Sequence, residues 1–225
     1  MTLVIGHRGA SKVEKENTIA AFTRALEMGA DWVEFDVRRA ACGTPVVHHD
    51  ANVADGRFIY ETAAKDLPDY VSSLEDVVEA CGPMGVNIEI KSDLEEPDYD
   101  DDHRVVDSVV AIARQIPRDK VLITSFDMSA INRSHDVDDS VPTGFLTSDD
   151  LGAEVAVGRA SAHGHVAVNP WVEIVTQRWV TTAHDAGLKV YSWTCDDPKR
   201  MKELISFGVD GIITNTPDVL RKIVG

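Results

Sequence analysis

The sequence is short of cysteine, of positive charge and of long apolar runs, and each shortage narrows the range of possible functions. Cys42, Cys81 and Cys195 are odd in number and widely spaced, which argues against a disulfide scaffold and favours a reducing cytoplasm. The 22 Lys and Arg residues face 38 acidic residues, and the net charge of -16 argues against binding to nucleic acid or to an anionic membrane. No apolar run approaches the ~18 residues of a membrane span, and we expect no signal peptide at the N-terminus.

The residues that are abundant favour one catalytic domain over residues 1–225. The chain is 44% apolar, enough for a sizeable core, and its 225 residues suit a single α/β barrel. Strand-like and helix-like segments alternate with no low-complexity linker between them, which predicts parallel strands joined by helical crossovers. Because the chain is so acidic, a phosphate-bearing substrate would have to be met by locally placed cations or by a metal ion.

The pattern of apolar residues predicts a TIM (β/α)8 barrel. Apolar runs that end in polar residues predict barrel strands at 3–8, 32–37, 86–91, 121–126, 144–147, 166–170, 190–194 and 211–215. Helical spacing predicts helices at 16–29, 73–82, 103–117, 128–135, 150–161, 176–187, 196–208 and 216–224. The polar residues cluster at the carboxyl ends of the predicted strands, where barrel enzymes build their active sites.

A ninth strand-like run, "PVVHHD" at 45–50, does not fit an eight-stranded barrel. Asp36 and His49 are too close in sequence for a helical crossover, which needs about a dozen residues or more of its own. We therefore predict an irregular second unit, in which a hairpin replaces the crossover helix and turns near Cys42 and Gly43. In that register Asp36 lies opposite His49.

Three acidic residues in predicted strands indicate a metal site. Glu34 and Asp36 are two residues apart and should face the same side of one strand, and Glu89 enters from the next strand. Each acid taken singly could instead face water. Three carboxylates without sulfur or an imidazole cluster are the ligands of a hard cation, Mg²⁺ or Ca²⁺, more than of zinc.

Histidines and basic residues near the same strand ends suit phosphate chemistry. Arg8 and Lys91 close to a metal would bind a phosphate group. His7 and His49 would then be a pair of imidazoles fit for proton transfer in both directions. Strand alternation turns His48 to the other side. The acidic run at 92–103 is expected to be a solvated loop, with a secondary cation site or repulsion of highly anionic substrates as alternatives.

An ordered set of short motifs resembles the glycerophosphodiester phosphodiesterase family. The motifs are "GHRGA" at 6–10, "ENT" at 16–18, "GAD" at 29–31, "EFD" at 34–36 and "VVHHD" at 46–50, followed by "NIEIK", "SF", "NP", "WT" and "GVDGIITNTP". The resemblance spans nearly the whole chain. It implies a barrel of the phospholipase C-like phosphodiesterase type and metal-assisted cleavage of a glycerophosphodiester to glycerol 3-phosphate and an alcohol.

The same resemblance assigns roles to individual residues. It implies His7 and His49 as the acid/base pair, Glu34, Asp36 and Glu89 as ligands of the divalent cation, Arg8 and Lys91 as phosphate contacts, and Trp193 as an apolar wall of the substrate site. It also implies that Glu16 begins the helix near the site. The expected partner is a small-molecule phosphodiester.

The chain departs from the family pattern in two places. The sequence "AACG" at 40–43 replaces the usual Thr-x-Asp-Gly, and residues 51–72 form a short excursion where the family often carries an insertion. These departures concern the turn before His49 and the mouth of the site, and so the substrate preference. Two other functions also stay open. One is a phospholipase or sphingomyelinase D-like cleavage that leaves a cyclic phosphate, and the other is a non-catalytic barrel that binds a phosphorylated ligand.

Overall fold

A computed structural model describes residues 1–148 and 151–225, and its centre is a closed barrel of eight parallel strands. The strands are β1 (Leu3–His7), β2 (Trp32–Arg39), β3 (Pro45–Val47), β4 (Gly85–Ile90), β5 (Val121–Ser125), β6 (Thr143–Thr147), β7 (Ala167–Pro170), β8 (Lys189–Ser192) and β9 (Gly211–Thr214). All except β3 belong to the barrel, which closes through parallel pairing of β1 with both β2 and β9. The predicted TIM barrel is confirmed.

Eight helices in the described residues surround the barrel. They are α1 (Ile19–Glu27), α2 (Leu74–Cys81), α3 (Arg104–Ala113), α4 (Met128–Val137), α5 (Ala153–Ala162), α6 (Gln177–Asp185), α7 (Pro198–Phe207) and α8 (Pro217–Val224). The predicted helix at 150–161 corresponds to α5, and its first predicted residue lies outside the described residues. None of these helices is long and apolar enough to cross a membrane.

The first helix begins later than predicted. The backbone of Asn17 has a left-handed φ of 56°, which a helix of L-residues does not continue through. Thr18 then caps α1 by accepting a hydrogen bond from the N–H of Ala21. The expectation that Glu16 begins this helix is therefore wrong. Glu16 lies in the preceding loop, where its Oε1 accepts a hydrogen bond from Nη1 of Arg8 at 2.9 Å.

Alternation along β2 separates the apolar core from the barrel interior. Val33, Phe35 and Val37 belong to the main apolar cluster between the barrel and the helices. The intervening residues face the interior, where Trp32 helps to fill the amino end of the barrel. Glu34 and Asp36 follow on the same side, toward the carboxyl end. The lower barrel is thus a packed plug, and the polar residues lie above it.

β3, the strand that does not belong to the barrel, forms the predicted hairpin with β2. The two strands pair antiparallel, and no helix lies between them in the chain. Residues 51–72 continue from the hairpin through two short 3₁₀ turns, Ile59–Glu61 and Ala64–Asp66. A small separate apolar cluster, which includes Val46, fastens this excursion to the barrel.

Candidate active site

Three carboxylates converge inside the barrel near the carboxyl ends of β2 and β4. Glu89 on β4 is the strand partner of Asp36 on β2, and one oxygen of each carboxylate lies within 4.8 Å of an oxygen of the other two. Glu34 and Asp36 are only 3% and 1% exposed. Glu34 Oε1 and Asp36 Oδ1 are buried with no hydrogen-bond partner among the described residues. Unpartnered carboxylate oxygens are costly to bury, so this trio is suited to hold a divalent cation.

Two basic side chains balance part of this negative charge. Nε of Arg8 lies 3.1 Å from Oδ2 of Asp36, and the Arg8 backbone N–H donates to Oε2 of Glu34 at 3.0 Å. Nζ of Lys91 lies 3.0 Å from Oε1 of Glu89 and 3.8 Å from Oδ1 of Asp36. Because both cations are largely buried, solvent screens these attractions little.

The three carboxyl groups differ in their readiness to ionise. Burial raises the pKa of Glu34 well above its usual value, and the Asp36 charge acts in the same direction. Burial, followed by the Asp36 charge, also raises the pKa of Glu89. Burial acts to raise the pKa of Asp36 as well, but the charges of Arg8 and Lys91 outweigh it and hold that pKa below its usual value. Full ionisation of Glu34 and Glu89 therefore calls for a further positive charge.

Asn17 fixes the orientation of Asp36, a role that was not predicted from the sequence. Its Nδ2 donates to Oδ2 of Asp36 at 2.8 Å, and the Asp36 backbone N–H donates to Oδ1 of Asn17 at 3.3 Å. The left-handed backbone of Asn17, a conformation that Asn tolerates better than most residues, aims this amide into the barrel. The available signal was its place in the "ENT" motif and the short side chain that left-handed turns favour.

His7 lies at the end of β1 with its two ring nitrogens in different surroundings. Nδ1 is 2.7 Å from Oδ1 of Asn215, and Nε2 is 3.9 Å from Oε2 of Glu34. Burial, followed by the charge of Arg8, lowers the pKa of His7. The ring is therefore neutral at pH 7 and carries its hydrogen on Nδ1, with the lone pair of Nε2 directed toward the carboxylates.

The hairpin register differs by one residue from the prediction. Val37 pairs with Val47, and the backbone N–H of His48 donates to the carbonyl of Asp36 at 3.0 Å. His48, and not His49, therefore lies opposite Asp36. The turn is centred on Cys42 and holds three residues, because the Ala40 N–H donates to the carbonyl of Thr44 at 2.9 Å.

His49 nevertheless reaches the site. Because β3 ends at Val47, strand alternation does not extend to the two histidines. The chain bends after Val47, and His49 turns toward the carboxylates while Oδ1 of Asp50 lies 2.7 Å from its Nδ1. His48 turns away and lies with its ring centroid 6.2 Å from that of Tyr70.

One cavity of about 140 Å³ collects the candidate residues. All of those singled out from the sequence line it except Asp36, which lies behind Arg8 and Lys91: His7, Arg8, Glu34, His49, Glu89, Lys91 and Trp193. Trp193 forms an aromatic wall with Phe126, whose ring centroid lies 5.4 Å away at 86°. The Trp193 indole N–H donates to the carbonyl of Asn169 at 2.7 Å, which fixes the plane of the ring.

Comparison with known proteins identifies the family of the chain. Residues 7–219 match the model of the glycerophosphoryl diester phosphodiesterase family. The chain is 31% identical to a glycerophosphodiester phosphodiesterase of Caldanaerobacter subterraneus, over 99% of this chain and 98% of that protein. It is 30% identical to a probable glycerophosphodiester phosphodiesterase of Mycobacterium tuberculosis, over 99% of this chain and 90% of that protein.

A solved structure shares the fold. A phosphodiesterase of Oleispira antarctica, solved in complex with its product sn-glycerol-3-phosphate, superposes with a TM-score of 0.88 at 24% identity, over 100% of this chain and 97% of that one. The family match begins at His7, the last residue of β1, and ends at Val219 in α8, so it includes every residue that lines the cavity. The chain belongs to the glycerophosphoryl diester phosphodiesterase family, whose members are enzymes of glycerophosphodiester hydrolysis.

Proposed function

We propose that this enzyme hydrolyses glycerophosphodiesters to glycerol 3-phosphate and an alcohol, with one divalent cation held by Glu34, Asp36 and Glu89. The convergence of these carboxylates beside two histidines in one cavity carries the proposal. Both Mg²⁺ and Ca²⁺ suit an all-oxygen ligand set. A cation held by these carboxylates would polarise a phosphoryl oxygen and would stabilise the negative charge that develops on the phosphate oxygens.

The charge balance of the site supports both the cation and an anionic substrate. Three ionised carboxylates, together with the charges of Arg8 and Lys91, leave one net negative charge. A divalent cation reverses this to one net positive charge, which matches the single negative charge of a phosphodiester. Arg8 and Lys91 already face the cavity, and we assign them to the non-bridging phosphate oxygens.

We assign the two proton transfers to His7 and His49. Neutral His7 is ready to accept a proton at Nε2 from the attacking water, because Asn215 occupies its Nδ1. His49 then delivers a proton to the leaving alkoxide. The hydrogen bond from His49 lowers the pKa of Asp50, and Oδ1 of Asp50, 2.7 Å from Nδ1 of His49, holds the imidazole in place.

Trp193 is assigned to substrate binding. The ring of Trp193 supplies the apolar wall for the carbon chain of the substrate.

We propose that residues 1–225 act as one catalytic domain, and that residues 51–72 take the place of the family's insertion. All three cysteines are free thiols, which supports a cytoplasmic location.

Phosphorus NMR of glycerophosphocholine incubated with the enzyme tests the chemistry. With Mg²⁺ or Ca²⁺ we expect a linear monoester, glycerol 3-phosphate, and no turnover after chelation of the metal. A cyclic phosphate product would instead favour internal attack, as in the phospholipase D-like alternative. If no glycerophosphodiester gave a product, the remaining function would be binding of a phosphorylated ligand without catalysis.

A further inference from the structure

Arg38 is the next interior-facing residue of β2 after Glu34 and Asp36, and neither proton transfer nor cation binding uses it. It is one of the largest fully buried side chains, with 1% exposure. Its Nη1 donates to both carboxylate oxygens of Asp98 at 2.7 Å, and its Nη2 donates to both of Glu96 at 2.9 and 3.0 Å. Its Nε donates to the backbone carbonyl of His49 at 2.7 Å.

We infer that Arg38 is a positioning residue for His49 and that it couples His49 to the acidic segment 92–103. This inference rests on the proposed role of His49 as general acid. Every guanidinium nitrogen donates, so the rigid fork of Arg38 fixes one backbone atom of His49 relative to two carboxylates of another loop.

The position of His49 needs such a support. β3 ends at Val47, and the hydrogen bond from His48 to Asp36 is the last rung of the ladder. Beyond it the backbone carbonyl of His49 has no strand partner among the described residues, and Arg38 supplies its donor. A charge-assisted hydrogen bond in a buried place is stronger than a neutral one at the surface.

The same contacts give the acidic segment 92–103 a structural role. Glu96 and Asp98 neutralise a guanidinium that would otherwise be costly to bury. Asp93 and Glu96 also line a cavity of about 250 Å³ that shares Lys91 with the cavity of the candidate active site. The segment thus lines a cavity next to the candidate active site, and Arg38 connects the segment to His49.

Arg39 provides a matched control. It is the neighbouring residue of β2 and also faces an acid of the segment, with Nε 3.5 Å from Oδ2 of Asp100. In the described part of the chain, Arg39 makes no hydrogen bond to His49, whereas Arg38 does. Arg38→Gln and Arg39→Gln therefore remove the same charge from the same strand and segment, but only the first removes the support of His49.

The kinetic test is a double-mutant cycle with glycerophosphocholine. We expect Arg38→Gln to lower kcat about tenfold to a hundredfold, as loss of an outer-shell partner does, with KM within about threefold. Arg39→Gln should stay within about threefold of the parent. In the His49→Ala background, Arg38→Gln should lower kcat by a further factor of less than about two, because Arg38 acts through His49. An equal loss in both backgrounds, or a parent-like Arg38→Gln variant, would overturn the inference.

Amide hydrogen exchange tests the coupling without turnover. In Arg38→Gln, peptides covering 48–53 and 92–103 should both exchange faster, whereas Arg39→Gln should affect only the second. If Arg38→Gln does not fold, the double variant Glu96→Gln/Asp98→Asn, which retains Arg38, should speed exchange at 48–53. Unchanged exchange at 48–53 overturns the inference. An inactive parent enzyme overturns the proposed function instead.

Discussion

The side-chain oxygen of Asn215 lies 2.7 Å from Nδ1 of His7, although 208 positions separate the two residues. The Asn215 amide can adopt only one orientation, because its Nδ2 donates to Oδ2 of Asp196 at 2.7 Å. Its oxygen must therefore face His7 and accept the Nδ1 hydrogen. Asp196 and Asn215 thereby set the tautomer of the proposed general base.

Asn215→Ala should lower kcat about threefold to tenfold, because one hydrogen bond contributes ~0.5–1.5 kcal/mol. The hydrogen bond from His7 raises the pKa of that histidine, so its loss should lower the pKa further. The acid limb of the pH–rate profile should consequently move to lower pH. An acid limb at the parent position would contradict the assignment of His7 as base.

His7→Ala and His49→Ala should each reduce turnover of glycerophosphocholine by ~10²–10⁴. His48→Ala should remain within several-fold of the parent, because that ring lies against Tyr70. A p-nitrophenyl ester, whose leaving group needs no proton, separates the two roles. His49→Ala should regain activity with this substrate and His7→Ala should not. An inactive His48→Ala variant with normal stability would move the acid role to His48.

Asp36→Asn should weaken binding of Mg²⁺ or Ca²⁺ at least tenfold and remove most of the activity, because a neutral amide replaces the carboxylate that is most readily ionised. Isothermal calorimetry measures the affinity directly. Asp55→Asn is the control, since Asp55 pairs with Arg57 at the surface and should leave the affinity unchanged. Undiminished affinity in Asp36→Asn would exclude it as a ligand.

The barrel was predictable because most strands are short apolar runs with polar residues at or near their carboxyl ends. β1 and β9 illustrate this, as both stop at the polar residue that begins the active-site end. The metal trio was predictable for the same reason, since Glu34 and Asp36 keep the strand period and Glu89 is the partner of Asp36. Local patterns suffice where regular secondary structure carries the side chain.

The register of the hairpin was not predictable, since it depends on whether the turn holds two or three residues. His49 lies near the carboxylates as predicted, but not because it pairs opposite Asp36. It reaches the site because the backbone bends after Val47. Asn17, Arg38 and Asn215 were missed because their roles depend on partners elsewhere in the fold. For Arg38, the period of two from Glu34 through Asp36 was an available signal.

His165 should make the fold sensitive to acid. It is 3% exposed, and burial, followed by the charges of His135 and His163, lowers its pKa to about 4. The unfolded chain takes up the proton near pH 6.5 and the folded chain only near 4, so stability is complete above 6.5 and falls below it. The neutral ring is well satisfied, because Nδ1 lies 2.7 Å from Thr143 Oγ1 and Nε2 lies 3.0 Å from Asn132 Oδ1.

Urea unfolding at several pH values measures this effect. His165→Gln should be less stable than the parent at pH 7.5, and the deficit should shrink by about 2 kcal/mol at pH 5, because the variant lacks the titrating group. A deficit that does not depend on pH would show that the pKa of His165 is the same in the folded and unfolded chains, and would contradict the assignment.

Two glycine substitutions should change stability in opposite directions. A Cβ on Gly85 would overlap the indole of Trp32, so Gly85→Ala should cost at least ~1–3 kcal/mol. A Cβ on Gly158 in α5 would meet no other atom of the described residues within 4 Å, and Gly158→Ala should stabilise the helix by ~0.5–1 kcal/mol. Urea unfolding of both variants gives the two signs. An unchanged free energy of unfolding in Gly85→Ala would mean that the Trp32 ring can shift aside without cost.

The pairing of β1 with β9 has a consequence for biosynthesis. Ribosomes deliver β1 first, and its partner at 211–214 follows some two hundred residues later. Until then one edge of β1 stays open to other nascent chains and to chaperones. The β2–β3 hairpin can form early, because its contacts are local. A translation product that stops before residue 211 would possess both histidines and the three carboxylates but no closed barrel to hold them together.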